Sequence, residues 1–390
     1  MSIPNPPPPR RIIALYPHYN TGTANAYTAL SICGRLGGDG WESTLMVPAS
    51  DPHARRGYVR DALPGPVRRL AYRFGSPAAA AAFAECRLMA AVRPGDVVYV
   101  WPGVRSATIR RLKARGLTVV AERINCHTGP SKRILDAEYA RLGLPPGHDI
   151  TEAAVRAERA ELALCDFVFS PSPLVERSLE AEGVPAGKIL PCSYGWDPQR
   201  FATGPGRALP SADGPTVLFV GRACVRKGAH LLLDAWTRAG IRGRLVFAGT
   251  IDADVAARCA PAFDRPDVVR LGHVRDLGPV YRSADVFAFP SLEEGGPLAT
   301  YEAMGCGLPV LVSPMGAGRA VRDGLDGVVI DPHDAEAWAA ALRRLAGDAE
   351  LRRHLSAAAA RAAEFVWPRV GAVRREALSA ALAARSRAAG

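Results

Sequence analysis

Short apolar runs alternate along this chain with longer amphipathic stretches, and the alternation occurs in two series. In the first, Arg11–Tyr16, Glu42–Val47, Asp96–Val100, Thr118–Glu122 and Asp166–Phe169 predict strands, with a loop and helix over 21–38 and further helices between. The second begins at Thr216 and includes Arg244–Ala248, Val268–Gly272, Val286–Phe289, Pro309–Val312 and Gly327–Ile330. Strands that alternate with helices need right-handed crossovers, and these build parallel sheets. The Gly/Pro-rich segment Thr203–Pro215 separates the series and predicts an interdomain linker. After Asp334 the chain is helical and rich in Ala and Arg. Trp367-Pro368 interrupts it before a final helix over 369–386.

Composition narrows the picture. A chain of 390 residues with 48% hydrophobic content supports two sizeable cores. It contains no apolar run long enough to span a bilayer. Residues 1–10 lack an apolar signal core and predict a disordered, proline-rich lead-in, which points to a cytoplasmic protein. Cys33, Cys86, Cys126, Cys165, Cys192, Cys224, Cys259 and Cys306 are scattered without a C-x-x-C pair, as expected of reduced thiols. The eight histidines show no ligand spacing either, so no structural or catalytic metal is expected. The net charge of +11 is uneven: thirteen Lys or Arg residues, including Arg55, Arg56, Arg60, Arg68, Arg69 and Arg73, fall between His53 and Arg115. Only Asp61, Glu85 and Asp96 oppose them. Such a face suits an anionic membrane surface. Nucleic acid is not expected as a partner, because no RNA-binding module or zinc finger accompanies the charge and aromatic interleaving is sparse.

The densest candidate chemistry lies at 291–310, SLEEGGPLATYEAMGCGLPV. Ala284–Pro290 predicts a buried strand and Leu298–Gly305 the start of a helix, so Glu294, Gly295 and Gly296 occupy a strand-to-helix loop. Glu302 stands eight positions beyond Glu294, about two turns into the helix. Loops at strand C-termini of open parallel sheets hold ligands, and a helix N-terminus offers unpaired N–H groups to phosphate. Amides for a diphosphate beside carboxylates for hydroxyls fit a nucleotide-sugar. Upstream, TVLFVGRACVRKG ends a strand in Gly221 and places Arg222 and Lys227 five residues apart before a helix over Ala229–Ala239. Two cations there can neutralise a diphosphate leaving group.

FVGRACVRKG and PSLEEGGPLATYEAMGCGLPV together resemble the C-terminal half of family 4 retaining glycosyltransferases, also called glycosyl transferases group 1. ERINCHTG at 122–129, the segment 167–201 and LGHVRDLGPVYRSADVFAFPS at 271–291 agree with that resemblance. It implies the GT-B architecture, an α/β fold of two Rossmann-like parallel-sheet domains facing a central cleft. The acceptor-binding domain would comprise 11–203 plus 367–390, with the last helix crossing back to it; the nucleotide-sugar domain would comprise 204–366. The family pattern implies that Glu294 holds the sugar's ring hydroxyls, Glu302 the ribose hydroxyls, and that the Val274 backbone borders the base. His127, just beyond the strand Thr118–Glu122, would orient the donor sugar. Gly22, in YPHYNTGTANAY, would approach a phosphate, although the family usually has adjacent glycines where this chain has Thr21-Gly22-Thr23. Glu122 and Arg123 could form a local ion pair or shape the acceptor pocket. Tyr194-Gly195 matches the family's interdomain turn.

The resemblance further implies front-face substitution, in which the leaving diphosphate helps deprotonate the incoming hydroxyl. Arg222 and Lys227 would stabilise that group, helped by the amides of Leu298 or Ala299, since Pro297 has no N–H. The expected reaction is transfer of a hexose from a UDP- or GDP-sugar to a saccharide or lipid-linked acceptor in cell-surface polysaccharide or glycolipid assembly, with no cofactor. Two alternatives share the fold: a sugar-nucleotide epimerase or hydrolase, and an inactive scaffold.

Overall fold

The computed structural model describes residues 9–63, 65, 76–202, 209, 213–356 and 359–389. The lead-in (1–8), most of the Thr203–Pro215 linker and Arg68, Arg69 and Arg73 of the basic run lie outside the described residues. One sheet contains β1 (Arg10–Leu15), β2 (Trp41–Val47), β3 (Val59–Asp61), β4 (Val97–Val100), β5 (Thr118–Glu122), β6 (Phe167–Ser170) and β7 (Ile189–Pro191), ordered β3-β2-β1-β4-β5-β6-β7. The other contains β8 (Thr216–Val220), β9 (Arg244–Ala248), β10 (Val268–Gly272), β11 (Val286–Phe289), β12 (Val310–Val312) and β13 (Val328–Val329), ordered β10-β9-β8-β11-β12-β13. The pairings within both are parallel.

Helices cover both faces, which is why β4, β6, β8, β11 and β12 are buried at every residue and lack polar alternation. Each sheet is wound outwards in both directions from its first strand. The chain therefore reverses direction between β1 and β4, and again between β8 and β11. A crevice opens beyond the strand C-termini at such a reversal. In the second sheet that crevice lies between the loops 221–228 and 290–297, which hold both candidate motifs.

The apolar pattern misses β3 and β7. Each has three residues at a sheet edge, VRD and ILP, too few to show a period, and the proline of ILP is one that an edge tolerates. Trp367-Pro368 also differs from expectation: it opens the final helix, Trp367–Ala389, instead of preceding it. Proline fits a first turn because that N–H would have no intrahelical partner.

The final helix lies on the first sheet and is fixed there by a buried ion pair. Arg374 donates to Glu122 through Nη1 at 2.7 Å and Nη2 at 3.2 Å, and both side chains are fully buried. Tyr99 and Tyr194 hydroxyls also donate to Glu122, the latter at 3.0 Å. Arg123 pairs instead with Glu158 at 2.7 Å, so Glu122 and Arg123 are not partners of each other. The two chain crossings between the sheets run side by side. Trp196 N–H donates to the Phe365 carbonyl at 3.0 Å, and a Cβ on Gly195 would come within 2.4 Å of that oxygen. Glycine is required at 195 because the second crossing occupies the space.

Part of the basic run serves the fold. Its three opposing acids are each engaged: Asp61 with Arg55 at 3.7 Å, Glu85 with Arg105 at 2.7 Å and Asp96 with Arg11 at 3.4 Å. Among the described residues, no helix is long and apolar enough to cross a membrane.

Candidate active site between the two sheets

Gly228 brings the two loops of the second sheet together. Its φ is +67°, and a Cβ there would lie 2.0 Å from the Pro290 carbonyl oxygen at the end of β11. Leu292 N–H donates to the Arg226 carbonyl at 2.9 Å and ties the loops further. This close approach sets Lys227 Nζ 2.5 Å from Glu294 Oε1 and 4.9 Å from the centre of the Phe289 ring. The Ser291 hydroxyl donates to the same carboxylate oxygen at 3.3 Å. Arg226 Nη1 reaches the Glu293 carbonyl at 3.0 Å, Glu293 Oε2 at 3.4 Å and Glu294 Oε1 at 3.5 Å.

These contacts decide the charges. Burial pushes the Glu294 carboxyl up, but Lys227 and Arg226 outweigh it and hold the group below its ordinary range, as an anion. For Glu293, 2% exposed, burial raises the carboxyl above its ordinary range, and Arg226, the Ser131 hydroxyl and the Cys126 N–H offset part of the rise. Neither Arg226 nor Glu293 stands out in the sequence. Each sits next to the residue of the same charge that the motif selects, and adjacency alone does not say which of two side chains turns inward.

Of the expected residues, the fold brings Lys227, Glu294 and Gly221 together; Gly221 has φ +127°, a conformation that favours glycine, and lies beside the Lys227 stem. Arg222 stands at the lip of the crevice, largely exposed and ion-paired with Asp252. Leu298 and Ala299 open the helix Leu298–Gly305, where N–H groups lack intrahelical partners. Glu302 is buried on that helix and accepts from the Tyr281 hydroxyl at 3.0 Å. Burial pushes its carboxyl up to about 7, with the Tyr281 bond and Arg200 offsetting part of the rise. Val274 is half-buried in the loop beyond β10.

Four expected residues lie elsewhere. His127 has no exposed surface and caps the helix Thr128–Leu142, its Nδ1 accepting from the Gly129 N–H at 3.1 Å. Burial lowers its pKa, so the ring is neutral, and it faces Glu158 and Glu182 within the first domain. Gly295 and Gly296 face protein. A Cβ on Gly295 would lie 1.6 Å from the Ile124 carbonyl oxygen, and one on Gly296 would lie 2.7 Å from the Tyr194 ring. These glycines let the loop of one domain press onto the Ile124 backbone and the Tyr194 ring of the other. Gly22, with φ +72°, packs against Ala54 and His53. It lines a separate cavity of about 690 Å³ along the helix Ala24–Cys33, shared with Tyr58, Trp196 and Trp367.

Between the sheets lies a cavity of about 460 Å³. Asn25, Arg123 and Ser131 line it from the first domain and Arg222, Arg226, Asp252 and Glu293 from the second. Its walls offer hydroxyl-binding groups and three guanidinium groups, suited to a polyhydroxylated, anionic ligand.

Two parallel sheets whose switch points face one cavity define the GT-B class. The fold is shared with sucrose-phosphate synthase from Thermosynechococcus elongatus, at 22% identity and TM-score 0.71 over 96% of this chain and all of that one. It is also shared with Anabaena HepE, solved with UDP and glucose, at 16% identity and TM-score 0.69 over 95% of this chain and all of that one. Within the class, residues 214–348 match the glycosyl transferases group 1 family, and the second sheet with its helices is a domain of that family. A D-inositol 3-phosphate glycosyltransferase of Kineococcus radiotolerans is 32% identical over 222 residues, 48% of this chain and 51% of its own length. One of Thermobispora bispora is 36% identical over 174 residues, 40% of this chain and 41% of its own. The chain thus spans about half the length of the curated relatives it matches, or less.

Proposed function

We propose that the protein is a retaining glycosyltransferase that moves a hexose from a nucleoside-diphosphate sugar to a hydroxyl of a saccharide or glycolipid acceptor. The observation that carries this reading is the Lys227–Glu294 pair at the second sheet's switch point, with Arg226 beside it and an interdomain cavity in front. Lys227 and Arg226 supply positive charge where a diphosphate departs, and they act from partly buried positions where that charge is least screened. Glu294 is held ionised and accepts hydrogen bonds from the sugar hydroxyls. Its engagement with two cations makes it a poor nucleophile, which favours front-face substitution over a glycosyl-enzyme intermediate. The cations of the chain take the role a divalent ion would otherwise fill, so the reaction is proposed to proceed in EDTA.

UDP-glucose is the first donor to test, because a solved GT-B protein binds UDP and glucose. Inositol 3-phosphate is the first acceptor, given the names of the relatives. Glycolipid assembly at an anionic membrane remains part of the proposal through the basic run at 53–115, and flotation with phosphatidylglycerol vesicles tests it.

The deciding experiment is calorimetric titration with UDP, GDP and ADP, followed by product analysis with the matching donor sugars. One diphosphate is expected to bind, and Lys227→Ala to weaken it by about 1.5–3 kcal/mol, the range for a hydrogen bond to a charged group. A protein that binds none of the three overturns the assignment.

A further inference from the structure

Glu293 is buried where the two domains meet, and its carboxylate is shared between them. Oε1 accepts from the Cys126 N–H at 3.1 Å and from the Ser131 hydroxyl at 3.0 Å, both in the first domain. Oε2 lies 3.4 Å from Arg226 Nη1, in its own domain. The same Nη1 is 3.5 Å from Glu294, the acid paired with Lys227. Nearby, the Cys126 thiol points to the Glu294 carbonyl and the Gly295 backbone presses on Ile124. The first domain offers an N–H and an O–H donor to Oε1, and the second domain sets a guanidinium beside Oε2. A carboxylate is the one side-chain group that satisfies both at once.

We propose that Glu293 is a positioning residue that couples closure of the cleft to the placement of Arg226. This rests on the glycosyltransferase reading above. With the domains together, Cys126 and Ser131 hold Oε1, and the carboxylate is then fixed in the orientation that keeps Arg226 beside Glu294 and turned to the cavity. With the domains apart, those two donors are gone. The carboxylate then rotates onto Arg226 alone, in a fuller ion pair that withdraws the guanidinium from the leaving group. Charge at the diphosphate is thus completed only when the cleft is shut against water. The consequence is a preference for transfer to the acceptor over hydrolysis of the donor.

Two substitutions separate the arms. Glu293→Gln keeps an oxygen for Cys126 and Ser131 but removes the charge that holds Arg226. Glu293→Ala removes both. Steady-state kinetics use UDP-, GDP- and ADP-glucose with inositol 3-phosphate, alongside water as acceptor. Small-angle scattering follows closure without any turnover. Glu293→Gln is expected to lower kcat at least tenfold with donor KM within threefold, and to keep the wild-type radius of gyration. Glu293→Ala is expected to show the same loss of kcat, a larger radius of gyration and a several-fold higher ratio of hydrolysis to transfer. If Glu293→Gln retains kcat within twofold, or Glu293→Ala scatters as the wild type does, the coupling is wrong. A wild-type protein that binds no nucleoside diphosphate indicts the glycosyltransferase reading instead, and scattering alone then decides whether Glu293 closes the domains.

Discussion

Replacing Glu302 by Gln should stabilise the protein, and only above acidic pH. Burial holds the Glu302 carboxyl at about 7 in the folded protein, against 4.5 as the ordinary value. A carboxyl raised on folding contributes most below its unfolded value, and that contribution falls as pH rises towards the folded value, because the unfolded chain gives up its proton first. The difference of about 2.5 units, at 1.36 kcal/mol each, amounts to about 3 kcal/mol lost between about pH 4.5 and pH 7. Gln does not titrate and still accepts from Tyr281, whose hydroxyl donates at 3.0 Å. The two proteins should therefore unfold alike near pH 4.5. Near pH 8 the variant should be more stable by about 3 kcal/mol, or roughly 1–3 M in urea midpoint at ordinary slopes. Urea unfolding followed by circular dichroism at both pH values measures this. A gap of equal size at the two pH values would refute the reasoning, because it would come from packing and not from the proton. The same variant should bind the nucleoside diphosphate more weakly if its carboxylate meets the ribose, a stability gain set against a binding loss.

Other substitutions test separate parts of the structure. Arg374→Met leaves Glu122 charged and unpaired under the final helix and should cost about 3–5 kcal/mol in thermal unfolding, with the Glu122→Gln, Arg374→Met double variant recovering part of it. A double variant as unstable as the single one would show that the guanidinium contributes packing and not charge. His127→Gln keeps an acceptor for the Gly129 N–H and should leave kcat and donor KM within about threefold, since the ring does not reach the cleft. A hundredfold loss of kcat with an unchanged melting temperature would return His127 to the active site.

Much of this protein could be read from its residues. Apolar runs buried on both faces mark the strands that need no polar alternation, and β5, β8, β9 and β11 fall where the pattern puts them. Glycine next to a cation or an acid at the end of such a run located the Lys227–Glu294 pair, because loops beyond parallel strands converge at the switch point whatever the rest of the chain does. The strands β3 and β7, by contrast, have only three residues each, too few to leave a pattern, and were silent.

Local and periodic features were legible in the residues alone: which segments are strands or helices, the order in which they alternate, and which loops gather charge and glycine. Which side chain of an adjacent pair points where, and against what, depends on the packing of distant segments. Arg226 and Glu293 turn inward beside Lys227 and Glu294 because the first domain supplies N–H and O–H donors from Cys126 and Ser131. His127 is buried beside the cleft with its Nδ1 capping the helix Thr128–Leu142. Gly295 and Gly296 meet protein because the opposing domain's Ile124 backbone and Tyr194 ring fill the space a Cβ would need. Each of these depends on a contact between segments far apart in sequence, and no local pattern encodes the partner's position.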